Sequence, residues 1–183
     1  STFTCVGSGD SEFELTRTKA LSGYLVEKGF EKLWLGMSEI PAASCYLFLA
    51  ILCEPDNQLA LSGLARAMRH FYRSEEALNY AIRAEILNSR DVYNLEVKAK
   101  VLTDLGRIDE SIIAFTNYLE VVGEERASDF SMATLQILSA YAANDFDLGL
   151  HVILTWTAKL EIDSWEPYQL GALLLNLFGK LKE

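Results

Sequence analysis

"LGRIDESIIAF" (residues 105–115) and "FYRSEEALNYA" (71–81) lie 34 residues apart and share one order: an ending helix, a short polar elbow and a new apolar helix. The agreement extends to both sides of the elbow. Ser111, Phe115 and Tyr118 fall on Ala77, Ala81 and Ala84, while Leu95, Ala99 and Leu102 fall on Leu61, Ala65 and Met68. Unrelated apolar helices rarely agree in both halves at one spacing, so the elbow belongs to a repeating unit.

One step back, Ala77, Ala81 and Ala84 map to Ala43, Leu47 and Ala50, and Pro55 closes the helix. Going forward, the phase slips by four residues within "GEERAS" (123–128) and resumes at "NDFDLGL" (144–150). There Gly149, Ile153 and Trp156 take the places of Ser111, Phe115 and Tyr118, and "PYQLGALLLNLFGKL" (167–181) opens an unpaired helix. Leu61, Leu64, Ala65 and Met68 recur at i, i+3, i+4 and i+7, one face of a helix. Small residues such as Ala65, Ala77, Ala84 and Ala99 let helices cross closely. Ser74 before Glu75 and Glu76, and Asp109 before Glu110, are expected to cap helices and place negative charge at their starts. Asp91 and Asp145 are expected to cap likewise, and no alternating run argues for a strand.

A helix–turn–helix unit of this period resembles the tetratricopeptide repeat, most clearly over 58–125, where Ala65, Ala99, Gly106, Ala77 and Ala84 carry the likeness. The resemblance implies an all-α, right-handed solenoid of about three to four helix pairs. Its repeats fall at 24–57, 58–91, 92–125 and 130–163, with a capping helix at 166–183. These form one domain, 13–183, after a flexible stretch, 1–12. Departures are Tyr72 where the next unit has Gly106, Glu31 at a small position, and Trp156 in the place of Ala84. Tyr80, Phe115, Tyr118 and Trp156 fall on second helices and are expected in the core between repeats, whereas Trp34 and Leu35 come before the first elbow and are harder to place in that core.

The composition narrows the function. Half of the 183 residues are apolar, which provides a sizeable core, and the net charge of −10 repels phosphate backbones. No nucleic-acid partner is therefore expected. The longest apolar run, "CYLFLAILC" (45–53), is about half of a membrane span, so no membrane insertion is expected. The start of the chain lacks the basic and apolar segments of a signal peptide. Cys5, Cys45 and Cys53 are odd in number without CxxC spacing, which fits a reducing, cytoplasmic setting; Cys45 and Cys53 are expected to be small core residues.

Catalytic signals are absent from the sequence. His70 and His151 are the only histidines and form no HExxH, so no metal site is expected. "GSGDSE" (7–12) lacks the third glycine and the strand of a dinucleotide loop, and neither GxxxxGK[ST] nor GxSxG occurs. Asp109 and Glu110 sit at an elbow, where capping explains them. The expectation is a protein that is not an enzyme and takes no cofactor.

In the family resembled, first helices line a concave groove that binds an extended peptide or a helix of another protein. Aligned by the repeat, the groove positions are Lys28, Lys32 and Leu35; Ser62, Arg66 and Arg69; Glu96, Lys100 and Thr103; and Thr134, Leu138 and Tyr141. Lys32, Arg66 and Lys100 stand in register as a basic stripe, flanked by Lys28 and Arg69 and suited to an acidic or carboxylate-bearing segment, and Leu138 with Tyr141 are expected to add an apolar pocket. Arg66 suits bidentate contact with a carboxylate, and His70 adjoins the groove. The competing reading makes the stripe an ordinary solvated face.

Two subsets of the family bear on the partner. The heat-shock co-chaperone clamp pairs lysine with asparagines that this chain does not supply. "FLAILCEPDNQLALSGLARAMRHFYRSEEALNYAIRAEIL" (48–87) is similar to the central region of small acidic chaperones of bacterial type III secretion, notably in "SGLARA" and "EEAL". The expected function is a protein-binding module, a chaperone or adaptor, with a scaffold subunit of a stable assembly as the alternative. The N-terminal helix around "FELTRTKALSGYLVEKGF" (13–30) is expected to cap the stack or pair with a second copy.

Overall fold

The computed structural model describes residues 8–157 and 166–179, and every regular element among them is helical. In chain order they are α1 (Ser8–Leu35), α2 (Ile40–Cys53), α3 (Gln58–His70), α4 (Ser74–Leu87), α5 (Val92–Asp104), α6 (Ile108–Val122), α7 (Asp129–Ala142), α8 (Phe146–Thr157) and α9 (Glu166–Gly179). The chain divides into two compact units, Ser1–Val101 and Leu102–Glu183. Helix begins at Ser8, within the 1–12 stretch expected to be flexible. Cys5, residues 158–163 of the last repeat and 180–183 of the cap lie outside the described residues.

The elbows explain the repeat physically. Tyr72, Gly106 and Asn144 all adopt positive φ, at 59°, 71° and 55°. At each elbow the next N–H bonds back to the carbonyl five residues earlier: Arg73 to Met68, Arg107 to Leu102 and Asp145 to Ala140, at 3.0, 3.0 and 2.9 Å. This left-handed terminator satisfies helix-end carbonyls and redirects the chain into the partner helix. The phase slip is accounted for as well, since Gly123 (φ 81°) leads into a 3-10 turn, Glu124–Arg126, before α7.

Helix starts follow the sequence in part. Asn57, Asp91, Ser128 and Asp145 accept hydrogen bonds from the backbone N–H three residues on. Ser74 and Asp109 are not caps. The residues before α4 and α6 are Arg73 and Arg107, whose side chains bind Glu76 and Glu110 instead. The acids of those first turns still face the positive end of the helix dipole.

In the first unit α1 and α2 run antiparallel, as the contacts Ser22–Ala50, Gly29–Leu47 and Lys32–Glu39 show. Helix α3 packs on both, and α4 packs on α3. The interior is built from small residues, with Ala60, Ala65, Ala67, Ala77, Ala81 and Ala84 fully buried around Leu47, Leu61 and Leu64. Leu47 is enclosed by two glycines: a Cβ on Gly29 would meet its Cγ at 2.6 Å, and one on Gly63 would meet its Cδ1 at 2.8 Å. Cys45 is exposed and Cys53 half-buried, so Cys45 is not the core residue expected. It occupies the outer face of α2 with Phe48, Leu49 and Leu52, while Ala43, Leu47 and Ala50 take the inner face.

In the second unit Phe115 and Tyr118 are buried on α6, as the repeat predicts. Trp156 is not interior. Its indole is only partly covered and Nε1–H donates to Gln136 at 2.8 Å, a surface solution for a ring too large for the place of Ala84. Helix α9 packs on α7 and α8.

Candidate functional site

Three helices of the first unit converge on one cluster. From α1 come Phe30 and Trp34, one turn apart; from α3 come Arg66, Arg69 and His70; from α5 come Tyr93, Glu96 and Lys100. Each set recurs at three- or four-residue spacing and so shares a helix face.

The aromatic half is held by ring contacts. Tyr93 meets Phe30 edge-on at 5.4 Å between centroids and Trp34 at 6.4 Å. The Arg66 guanidinium lies 4.5 Å from the Trp34 ring centre and 6.0 Å from that of Tyr93. At this distance the ring quadrupole attracts the cation, worth about 0.5–1 kcal/mol at an exposed site and more when desolvated. Trp34 nevertheless stays 64% exposed, and the adjoining Leu35 and Met37 are exposed too. Together they form an apolar ledge beside a fixed cation.

The other half is electropositive. Lys100 Nζ pairs with Glu96 at 2.9 Å one turn earlier, and both side chains are largely covered. Burial lowers the Lys100 pKa, Glu96 opposes that shift, and the charges of Arg69 and Arg66 push the same way as burial. His70 responds similarly. Burial first, then Arg69, Arg66 and Lys100, bring its imidazole down to about 4, so it is neutral at physiological pH. Burial pushes the Tyr93 phenol up to about 12 against the opposing charge of Arg66, which keeps it protonated. Its hydroxyl is buried without a hydrogen-bond partner of good geometry.

The expected stripe is therefore brought together in part. Arg66, Arg69 and Lys100 share one electrostatic neighbourhood. Lys28 binds Glu31 one turn on at 2.5 Å, and Lys32 binds Glu39 across the α1–α2 turn at 2.9 Å. These carboxylates raise the two lysine pKa values, so each ammonium has an acid beside it, as Lys100 has Glu96. The apolar pocket expected at Leu138 and Tyr141 is not open. Leu138 is fully buried, and Phe178 of α9 packs edge-on against Tyr141 at 5.4 Å. Of the remaining groove positions, Ser62 and Thr134 are buried and bond to carbonyls of their own helices, Gln58 and Phe130.

Trp34, Phe30 and Tyr93 are the members the repeat alignment missed. Phe30 and Trp34 carried a signal in their i, i+4 spacing; Tyr93 carried none, because its role depends on α5 meeting α1 across α3. Among the described residues, no group of three or more His, Cys, Asp or Glu side chains is arranged to hold a metal ion, and no helix is long and apolar enough to cross a membrane.

Solved structures share this architecture. An O-GlcNAc transferase variant from Thermobaculum terrenum is similar at a TM-score of 0.65 and 19% identity, over 78% of this chain and 27% of that one. A tetratricopeptide repeat protein from Parabacteroides merdae is similar at a TM-score of 0.56 and 17% identity, over 89% of this chain and 62% of the other. The chain thus spans about a quarter of the transferase and under two thirds of the repeat protein. No protein-family model matches the sequence, and no curated protein matches it. At these identities the likeness is one of fold: helix pairs of the tetratricopeptide kind.

Proposed function

We propose that the chain is a protein-binding module that holds an acidic segment of a partner on the α1–α3–α5 face of its first unit. The observation that carries this reading is the adjacency of an exposed apolar ledge, Trp34–Leu35–Met37, to the cations Arg66, Arg69 and Lys100. A partner carboxylate answers the cations, and an apolar side chain next to it covers the ledge. The apolar anchor thus docks at Trp34 rather than at Leu138. A partner that brings its own apolar residues suits a chaperone for an aggregation-prone client better than a rigid scaffold. The likeness of 48–87 to the chaperones of type III secretion favours the same class and a cytoplasmic setting.

The test uses fluorescently labelled acidic peptides, with and without a single phenylalanine beside the acids, read by anisotropy. The phenylalanine-bearing acidic peptide should bind best, and its affinity should fall with salt. Arg66→Glu with Lys100→Glu should weaken it by about 100-fold or more, equivalent to about 2.7 kcal/mol. Trp34→Ala should remove the preference for the phenylalanine. Undiminished binding by the charge-reversed variant would move the site off this face.

A further inference from the structure

We propose that Glu96 is an internal competitor for the partner: it holds Lys100 in the free chain and gives it up when the partner's carboxylate docks. This rests on the reading of the α1–α3–α5 face as the binding site and adds how that site is closed and reset. Glu96 is the only acid among the groove positions set by the repeat. Its Oε1 lies 2.9 Å from Lys100 Nζ one turn on, with Glu96 22% and Lys100 20% exposed at their side chains. An acidic partner therefore meets an ammonium that already holds a carboxylate, and both groups are within reach of solvent.

The fold does not require an acid there. The same register carries Ser62 in the preceding repeat and Thr134 in the last, buried hydroxyls that bond back to the carbonyls of Gln58 and Phe130. Glu96 instead reaches along α5 to Lys100. Glutamate four residues before lysine is the favoured order within a helix, and this pair ties no two helices together. Lys98 makes the contrast. It lies two residues from each member of the pair, hence on the opposite side of α5, and binds Glu85 of α4 at 2.6 Å. At 23% and 28% exposed, Lys98 and Glu85 are covered nearly as well. Two ion pairs of similar burial thus flank one helix: one braces α4 against α5, and the other stands in the partner's path.

Electrostatics favours an exchange. Burial acts against a charged Lys100, as do Arg69 and Arg66, and Glu96 offsets them. A covered ammonium needs a carboxylate beside it, and a partner's carboxylate meets that need as well as Glu96 does. On docking, one ion pair forms as another is lost, so capture is weakened and release is eased. When the partner leaves, Glu96 returns from one turn away on the same helix.

Anisotropy of the fluorescent acidic peptide that carries one phenylalanine, titrated with the full chain near neutral pH, tests the exchange. Glu96→Gln should tighten binding by about 10-fold. Glu85→Gln removes the same charge from the brace and should leave the affinity unchanged. Should Glu96→Gln unfold the chain, as far-UV circular dichroism would show, Glu96→Thr makes the same comparison with the side chain that the last repeat carries at that register. Unchanged or weaker binding by the folded Glu96 variant overturns the proposal, for Glu96 would then orient Lys100 rather than compete for it. Equal tightening by Glu85→Gln overturns it too, since net charge alone would account for the gain. Failure of the site itself has a different signature: the variant carrying Arg66→Glu and Lys100→Glu would bind the peptide undiminished, and both readings would fall.

Discussion

Substituting alanine for a glycine inside a helix ordinarily stabilises it by about 0.5–1 kcal/mol. Gly29→Ala is expected to do the opposite. The new Cβ would sit 2.6 Å from Leu47 Cγ and 2.7 Å from Cδ2, about an ångström inside carbon–carbon contact. Leu47 has nowhere to retreat. It is fully buried, and on its far side Gly63 leaves room only because it lacks a Cβ of its own, which would lie 2.8 Å from Cδ1 and 3.1 Å from Cδ2. Overpacking costs about 1–3 kcal/mol, so after the propensity gain Gly29→Ala should be destabilising by about 1–2 kcal/mol. Leu47→Ala alone should cost about 2–5 kcal/mol through the cavity it leaves. In that background the clash is gone and the added methyl partly fills the hole. Gly29→Ala should then be neutral or stabilising, a favourable coupling of about 1–2 kcal/mol between the sites. Urea unfolding by far-UV circular dichroism, with midpoints compared at equal slope, measures all three variants. A raised midpoint for Gly29→Ala, or strict additivity in the double variant, would refute the idea that these glycines set how closely α1, α2 and α3 pack. The same close packing fixes the face proposed to bind a partner, since Gly29 adjoins Phe30 and Gly63 lies three residues before Arg66.

Phe115→Ala should cost about 3–5 kcal/mol in urea unfolding because the ring is fully buried, and a cost near zero would take it out of the core. Tyr72→Gly should stabilise by about 1 kcal/mol, because the residue holds φ 59° with its side chain 93% exposed and so loses strain without losing packing; a drop in Tm would show a contact made by the ring. His70 gives a pH signature. Its folded pKa of about 4 lies below the unfolded value of 6.5, so its contribution to stability is fully present above pH 6.5 and is lost as pH falls towards 4. The slope should stay below the ~1.4 kcal/mol per pH unit of one proton, since the ring is only half-buried. His70→Gln should remove that part of the slope, and an unchanged profile would place the imidazole in solvent.

The repeat was legible because its cause is local. A left-handed residue at the elbow, small residues at crossings and a fixed helix length all leave marks at one period, and Tyr72 and Asn144 keep the conformation of Gly106 without its identity. The caps were half legible. Asp91 and Asp145 bond as their type predicts, whereas Arg73 and Arg107 hold the positions before α4 and α6 and engage Glu76 and Glu110. What the alignment could not show is what lies across from a residue. Leu138 has the register of Lys100, but Phe178 of α9 packs against Tyr141 one turn on, and Leu138 itself is buried. Lys32 belongs to the same column as Arg66 and Lys28 lies one turn before it, but Glu39 and Glu31 stand beside them. Equal repeat positions share a direction; neighbours decide their chemistry.

The contact between Arg66 and Trp34 looks at first like a reason for Arg66 not to bind a partner. Its geometry argues the reverse. A guanidinium stacks through its flat face and donates hydrogen bonds from its edge, so a ring and a carboxylate make separate demands on it. With the ring centre at 4.5 Å, the long side chain loses rotational freedom before a partner arrives, and that entropy is not lost again on binding. The bare ledge of Trp34, Leu35 and Met37 lies alongside the same cation, so a carboxylate set on its edge places the next residue of the partner over apolar surface. A lysine at 66 offers a point charge without a face to stack, and would lose the orientation that links the two halves of the site. On the proposed reading, an acidic partner and its apolar anchor are two consequences of one arginine held on one tryptophan.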